Sequence, residues 1–186
     1  MSQRLNKSNR SAIVTRALAV AFGQERAALA LREQELARAC YDDLFKPTTQ
    51  AALAEVPEGW LYKTNGLCLN HAGQRHTLAL SEALPVPYER HWDTVGVVSR
   101  ADLRDALDLL LADMADLKER RRRAAAALTG LLSSVATVER LREVWPEGEP
   151  YYREVAGAAP AAALPAIRIA EINALLHLET ASIAAS

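Results

Sequence analysis

The chain is poor in cysteine. Cys40 and Cys68 are its only two among 186 residues, and they lie in different kinds of segment with no close spacing. A disulfide framework and a zinc module are therefore both unsupported, and a reducing compartment is expected. Aromatics make up 5% of the residues, with only two Phe, while eight Gly and eight Pro gather in a few stretches and leave long runs without breakers. Long hydrophobic runs are lacking too. No stretch reaches the ~18 apolar residues of a membrane-spanning helix. Near the N-terminus Arg16 interrupts the one apolar stretch that follows basic residues, leaving only Ala17 to Phe22. A signal peptide is thus rejected, and a protein without a membrane segment is expected. A net charge of -1 removes any global electrostatic argument for nucleic acid. There is also no Gly-rich phosphate loop, no helix-turn-helix signature and no aromatic set among basic residues, so sequence-specific reading of bases has little support.

Half of the residues are hydrophobic, most of them Ala and Leu. This composition favours a mainly α fold able to bury a core without staples. From about Ser8 to Phe45 nearly every residue is a good helix former. Val14, Leu18, Phe22, Leu29, Leu36, Cys40 and Leu44 recur there at helical spacing, and Pro47 is expected to end the helix. A second long helix carries Leu103, Leu107, Leu110, Met114, Leu117, Arg121, Ala124, Leu128, Leu131 and Val135 in the four-three alternation of a coiled-coil seam. Ser99 is expected to cap its start, with Asp102 favouring the positive end. Paired antiparallel, the two make a long coiled-coil-like hairpin.

Between them the period changes. Asn65-Gly66 and Ala72-Gly73 read as turns, and Leu67, Leu69, Leu78 and Leu80 alternate with polar or small residues. A two-residue turn at Ala72-Gly73 would set position 69 against 76 and 67 against 78, placing His76 on the leucine face. The expectation is a small antiparallel β insert at about 58–92, packed on the helices because a lone hairpin is marginal in water. Residues 1–146 then form the hairpin with its insert. A short helix from Thr137 to Trp145 buries Val138, Leu141 and Trp145. Residues 147–186 form an Ala/Pro linker and a short C-terminal amphipathic helix carrying Ile169, Ile172, Leu175 and Leu176, read as a docked lid in preference to a partner-binding motif.

The run Arg120 to Arg123 points around most of a helix circumference, because consecutive residues rotate by about 100°. Arg121 falls on the apolar seam and is expected to snorkel. In an antiparallel hairpin Arg4, Lys7, Arg10 and Arg16 would approach the half that holds Arg120, Arg122 and Arg123, while Asp42, Asp43, Asp93, Asp102, Asp105 and Asp108 gather in the other. Those seven basic residues are the candidate contact for a polyanion or a partner, and nucleic-acid binding there would be weak and non-specific. Self-association is also expected, because Glu25 and Glu33 on the inner side of the first helix would leave part of the seam uncovered.

Catalytic and metal constellations are poorly supported. Cys68 and His71 should diverge in a strand, and a tetrahedral site with His76 would still need a further ligand such as His91. No metal, no cofactor and no catalytic residue is expected. Trp60, Tyr62, His71, His76, Tyr88, His91 and Trp92 are instead the candidate surface of the insert.

The stretches "RLNKSNRSAIVTRAL", "GQRHTLAL", "VERLREVWPE" and "LPAIRIAEINALL" resemble, in texture and order across most of the chain, small bacteriophage proteins grouped as the fifth nucleotide-modification-associated domain family. The resemblance implies an accessory role in the cytoplasm of an infected bacterium, in the company of DNA-modifying systems, and supplies no catalytic residues. The favoured reading is a non-enzymatic accessory protein that binds a host or phage macromolecule, most simply a protein, through its helical surface. The alternatives are an enzyme or enzyme subunit in nucleotide or DNA modification, and a component of the virion or its assembly.

Overall fold

A computed structural model describes residues 4–57, 61–87, 96–156 and 167–177. In chain order the elements are α1 (Lys7–Leu44), α2 (Pro47–Ala54), β1 (Leu61–His71), β2 (Gln74–Pro87), β3 (Gly96–Val97), α3 (Ala101–Ser134), α4 (Val138–Val144), a 3-10 turn (Pro146–Gly148), α5 (Glu149–Ala156) and α6 (Ile167–Leu175). The mainly α class with a small β insert and a short C-terminal helix is as expected. Pro47, however, opens α2 instead of only ending α1, since its missing N–H costs nothing in a first helical turn. The chain divides into two compact units. Residues 1–25 and 116–186 form the first, and residues 26–115 the second.

In the first unit the start of α1 runs antiparallel to the end of α3. Asn6 caps α1 by accepting from the Asn9 N–H at 2.8 Å. The Leu5 N–H donates to the Ala136 carbonyl, and Arg4 bridges Thr137. Ile13, Ala17 and Phe22 of α1 are buried, as are Ala124, Leu128 and Leu132 of α3 and Val135 just beyond it. The inward face therefore differs slightly from the expected seam. Val14, Leu18 and Leu131 are only half-buried, while Ile13, Ala17 and Leu132 lie inside. Their neighbours at a spacing of four follow the ~3.6-residue period of a straight helix, where a strict heptad would have drifted away. Thr137 caps α4 through its side chain, and Val138, Leu141 and Trp145 are buried. α6 docks in the same unit by Ile169, Ile172 and Leu176, with Leu175 half-buried.

In the second unit β1 and β2 pair antiparallel in the register that the Ala72-Gly73 turn dictates, with Leu69 opposite His76 and Leu67 opposite Leu78. Both turn residues have positive φ, 50° and 74°, the backbone a two-residue hairpin turn demands. Asn65-Gly66 is not a turn. It lies within β1, where the register shifts between Thr64 and Gly66. The Thr64 side chain there closes on Gly66, accepting from its N–H and donating to its carbonyl. A short β3 adds to β1 in parallel, so the sheet order is β2-β1-β3. Leu29, Leu36, Ala37, Cys40 and Tyr41 of α1 and Leu103, Leu107 and Leu110 of α3 complete the core with the sheet leucines. Ser99 does not cap α3; its hydroxyl donates to Asp43 at 3.3 Å, and Asp102 pairs with Arg100 at the helix start.

Candidate functional site

Two places in the fold gather polar chemistry, one in each unit. In the second unit, alternation puts His71 and His76 on the leucine face of the sheet and Cys68 on the other. Cys68 and His71 diverge as expected, but the two histidines do not. As a diagonal cross-strand pair their ring centroids lie 6.3 Å apart. His71 Nε2 meets Asp108 Oδ1 of α3 at 2.7 Å, with only 11% of the His71 side chain exposed. His76 is half-buried on the leucine face. On the opposite face Arg75 Nε donates to the buried Cys68 Sγ at 2.7 Å. Tyr62 is exposed at 40%. Trp60, Tyr88, His91 and Trp92 lie outside the described residues. Among the described residues no three His, Cys, Asp or Glu side chains are grouped to hold a metal ion. Among the described residues, too, no helix is long and apolar enough to cross a membrane.

The acids that were to leave part of the seam uncovered have specific uses. Glu33 accepts from the Ala79 N–H of β2 at 2.8 Å, and Glu25 pairs with Arg120. In the second unit Leu103, Leu107 and Leu110 are buried within the chain, while Met114 keeps 38% exposure. Off the seam, Leu31 and Leu109 of the same unit are exposed at 57% and 63%.

In the first unit three of the four arginines of the run are paired with neighbouring acids. Arg120 pairs with Glu25 of α1 and with Asp116 one turn back, and its guanidinium lies 5.9 Å from the Phe22 ring centroid. Arg122 and Arg123 both bind Glu119, at 2.7 and 3.0 Å. Two hydrogen-bonded guanidinium groups hold the Glu119 carboxyl far below its ordinary value, at about 2. Arg121 is half-buried with its Nε enclosed and unpartnered, in keeping with its seam position.

The basic residues in α1 and just before it differ. Arg4 and Lys7 are exposed, and Arg10 is half-buried, its Nη2 donating to the Val135 carbonyl at 2.9 Å. Arg16 is half-buried and engaged. No Asp or Glu occurs before Glu25, and residues 124–138, which end α3 and lead into α4, carry no charged side chain at all. Beside these residues a cleft of about 360 Å³ is lined by Lys7, Arg10, Ser11, Thr15, Thr129 and Ser133, with Val14 and Leu132 as its apolar wall. Sequence reasoning missed Ser11, Thr15, Thr129 and Ser133. The signal that could have found them is this stretch of cations without carboxylates, which a count of net charge averages away. No curated protein and no solved structure matches the chain. A family model does: the one described as nucleotide modification associated domain 5 matches residues 4–179, and the chain belongs to that family.

Proposed function

We propose that the protein is a non-catalytic accessory of a nucleotide- or nucleic-acid-modifying system, in the setting of a bacteriophage-infected cell, and that it engages nucleic acid through the first turns of α1. One observation carries this reading: Arg4, Lys7 and Arg10 stand where neither α1 before Glu25 nor residues 124–138 offer a carboxylate. Cations that form no ion pair keep counterions, and their release on meeting phosphates drives association. The contact positions a backbone and reads no bases. Fluorescence anisotropy with a labelled strand over a salt series tests it. Affinity should fall linearly on a log-log plot, and Arg4→Gln with Lys7→Gln should lower the slope by up to about two. Absence of binding at low salt, or binding indifferent to salt, overturns the proposal.

A second reading, an enzyme or enzyme subunit, draws on the His71–Asp108 pair with His76 beside it. A carboxylate that fixes one imidazole nitrogen leaves the other to move a proton. Under this reading His71→Ala would abolish modified nucleosides in DNA from cells carrying the accompanying system, with the protein still folded. Unchanged nucleoside composition would remove it.

A further inference from the structure

The cleft beside Lys7 and Arg10 has the properties of a discrete ligand site, and we infer that it binds a nucleoside 5′-monophosphate group. The inference rests on the nucleic-acid reading only through the shared phosphate chemistry. Its volume of about 360 Å³ lies within the ~300–1,000 Å³ of small-molecule sites. The lining divides by chemistry. Lys7 and Arg10 supply positive charge, Ser11, Thr15, Thr129 and Ser133 supply hydroxyls, and no carboxylate takes part. An oxyanion is therefore the group the cleft favours.

Arg10 is already held in place. Its Nη2 is anchored on the Val135 carbonyl, while its Nε is enclosed with no acceptor. A guanidinium fixed before binding loses little freedom when an oxyanion arrives in the cleft. Lys7 has no ion-pair partner among the described residues and is free to close on a second oxygen. The site does not depend on the amide N–H groups at the start of α1, one of which Asn6 already occupies.

A bare phosphate would leave most of the cleft unused. The hydroxyls both donate and accept, so they suit the mixed edges of a sugar and a base better than a second anion. Ser133 shows this directly: its Oγ donates to the Gly130 carbonyl and keeps its oxygen open to a ligand donor. The half-buried Val14 and the buried Leu132 give the apolar wall against which a base can lie. A phosphomonoester on a nucleoside is the chemistry that uses all three linings. It can come from a free nucleotide or from the 5′-phosphorylated end of a strand.

Calorimetric titration of the full chain with a deoxynucleoside 5′-monophosphate, a 5′-phosphorylated trinucleotide and inorganic phosphate tests the site. Saturable binding of either nucleotide, with a Kd below about 1 mM, is expected, and the tighter of the two names the source. Thr129→Val with Ser133→Ala changes no charge and removes two hydroxyls from exposed positions. It should weaken nucleotide binding by about fivefold or more while leaving the salt slope for long strands unchanged. Circular dichroism checks that the variant is folded. Inorganic phosphate binding as tightly as the nucleotides, nucleotide binding unaffected in the double variant, or no saturation would each overturn the inference. Strand binding weakened by Arg4→Gln alone, which leaves the cleft lining intact, speaks instead to the proposed function, so the two can fail separately.

Discussion

The indole Nε1–H of Trp145 donates to Asn173 Oδ1 at 3.0 Å, joining the end of α4 to α6 where both residues are shut off from solvent. This bond carries much of the specificity of α6 docking, because the contacts around it are non-directional apolar burial by Ile169, Ile172 and Leu176. Asn173→Ala strands the indole N–H and opens a small void. A loss of about 1–3 kcal/mol in urea denaturation is expected. Trp145→Phe in the same background should cost less than it does alone, since the donor no longer has a partner to lose.

Gly148 lies against the Trp145 ring, so that a Cβ there would fall inside the indole. Gly148→Ala must push the ring or the turn aside, and should cost roughly 1–3 kcal/mol or more as overpacking. Gly130→Ala is the control. A Cβ at position 130 meets nothing within 4 Å inside helix α3, and the substitution should stabilise by about 0.5–1 kcal/mol. A shared fall in paired thermal melts would contradict the assignment at Gly130, and a shared rise the one at Gly148.

Burial pushes the Cys40 thiol up to about 11, with the Asp43 charge adding to the effect. A raised value favours the protonated form in the folded chain, so this contribution is intact below the ordinary thiol value of 9.0 and is lost as pH rises through about 11. Native protein at pH 8 should therefore react with a thiol reagent at Cys40 only as fast as it opens. Urea midpoints measured from pH 8 to 11 should fall less steeply for Cys40→Ala than for the parent. Rapid native labelling of Cys40 would show that the thiol is not enclosed.

The parts of this fold governed by local rules were legible in the residues. The Ala72-Gly73 turn has one favoured backbone, and with it came the opposition of Leu69 to His76 and the separation of Cys68 from His71. The long helices and the burial of Val138, Leu141 and Trp145 follow from spacing alone. What spacing could not supply was partner choice across the chain. Ser99 is a good cap by type, yet Asp43 competes for its hydroxyl. Asn65-Gly66 is a good turn by type, yet pairing with β2 keeps it in a strand. The candidate site suffers most from this. Whether an arginine is available depends on which acid reaches it, and Glu25 is 95 residues away from Arg120.

Glu119 decides how much of the arginine run can meet a polyanion. Its carboxylate holds Arg122 and Arg123 together, and because its value is depressed to about 2, the pairs are present above the ordinary carboxylate range and are lost only as pH falls towards 2. A change of pH near neutrality therefore leaves both guanidinium groups engaged. Removing the charge releases them. Glu119→Gln should strengthen strand binding at low salt and steepen the salt slope by up to about two, each freed arginine adding roughly 0.9 if it reaches a phosphate. Arg122→Gln with Arg123→Gln in the parent should flatten the slope by less than Arg4→Gln with Lys7→Gln does, because a paired cation has fewer counterions to release. All three variants change only exposed or half-buried side chains, and unchanged melting temperatures would show that the fold is not the cause. Equal flattening by the two double variants would mean that the Glu119 pairs open freely in solution, and the contact surface would then extend along α3 to the run itself.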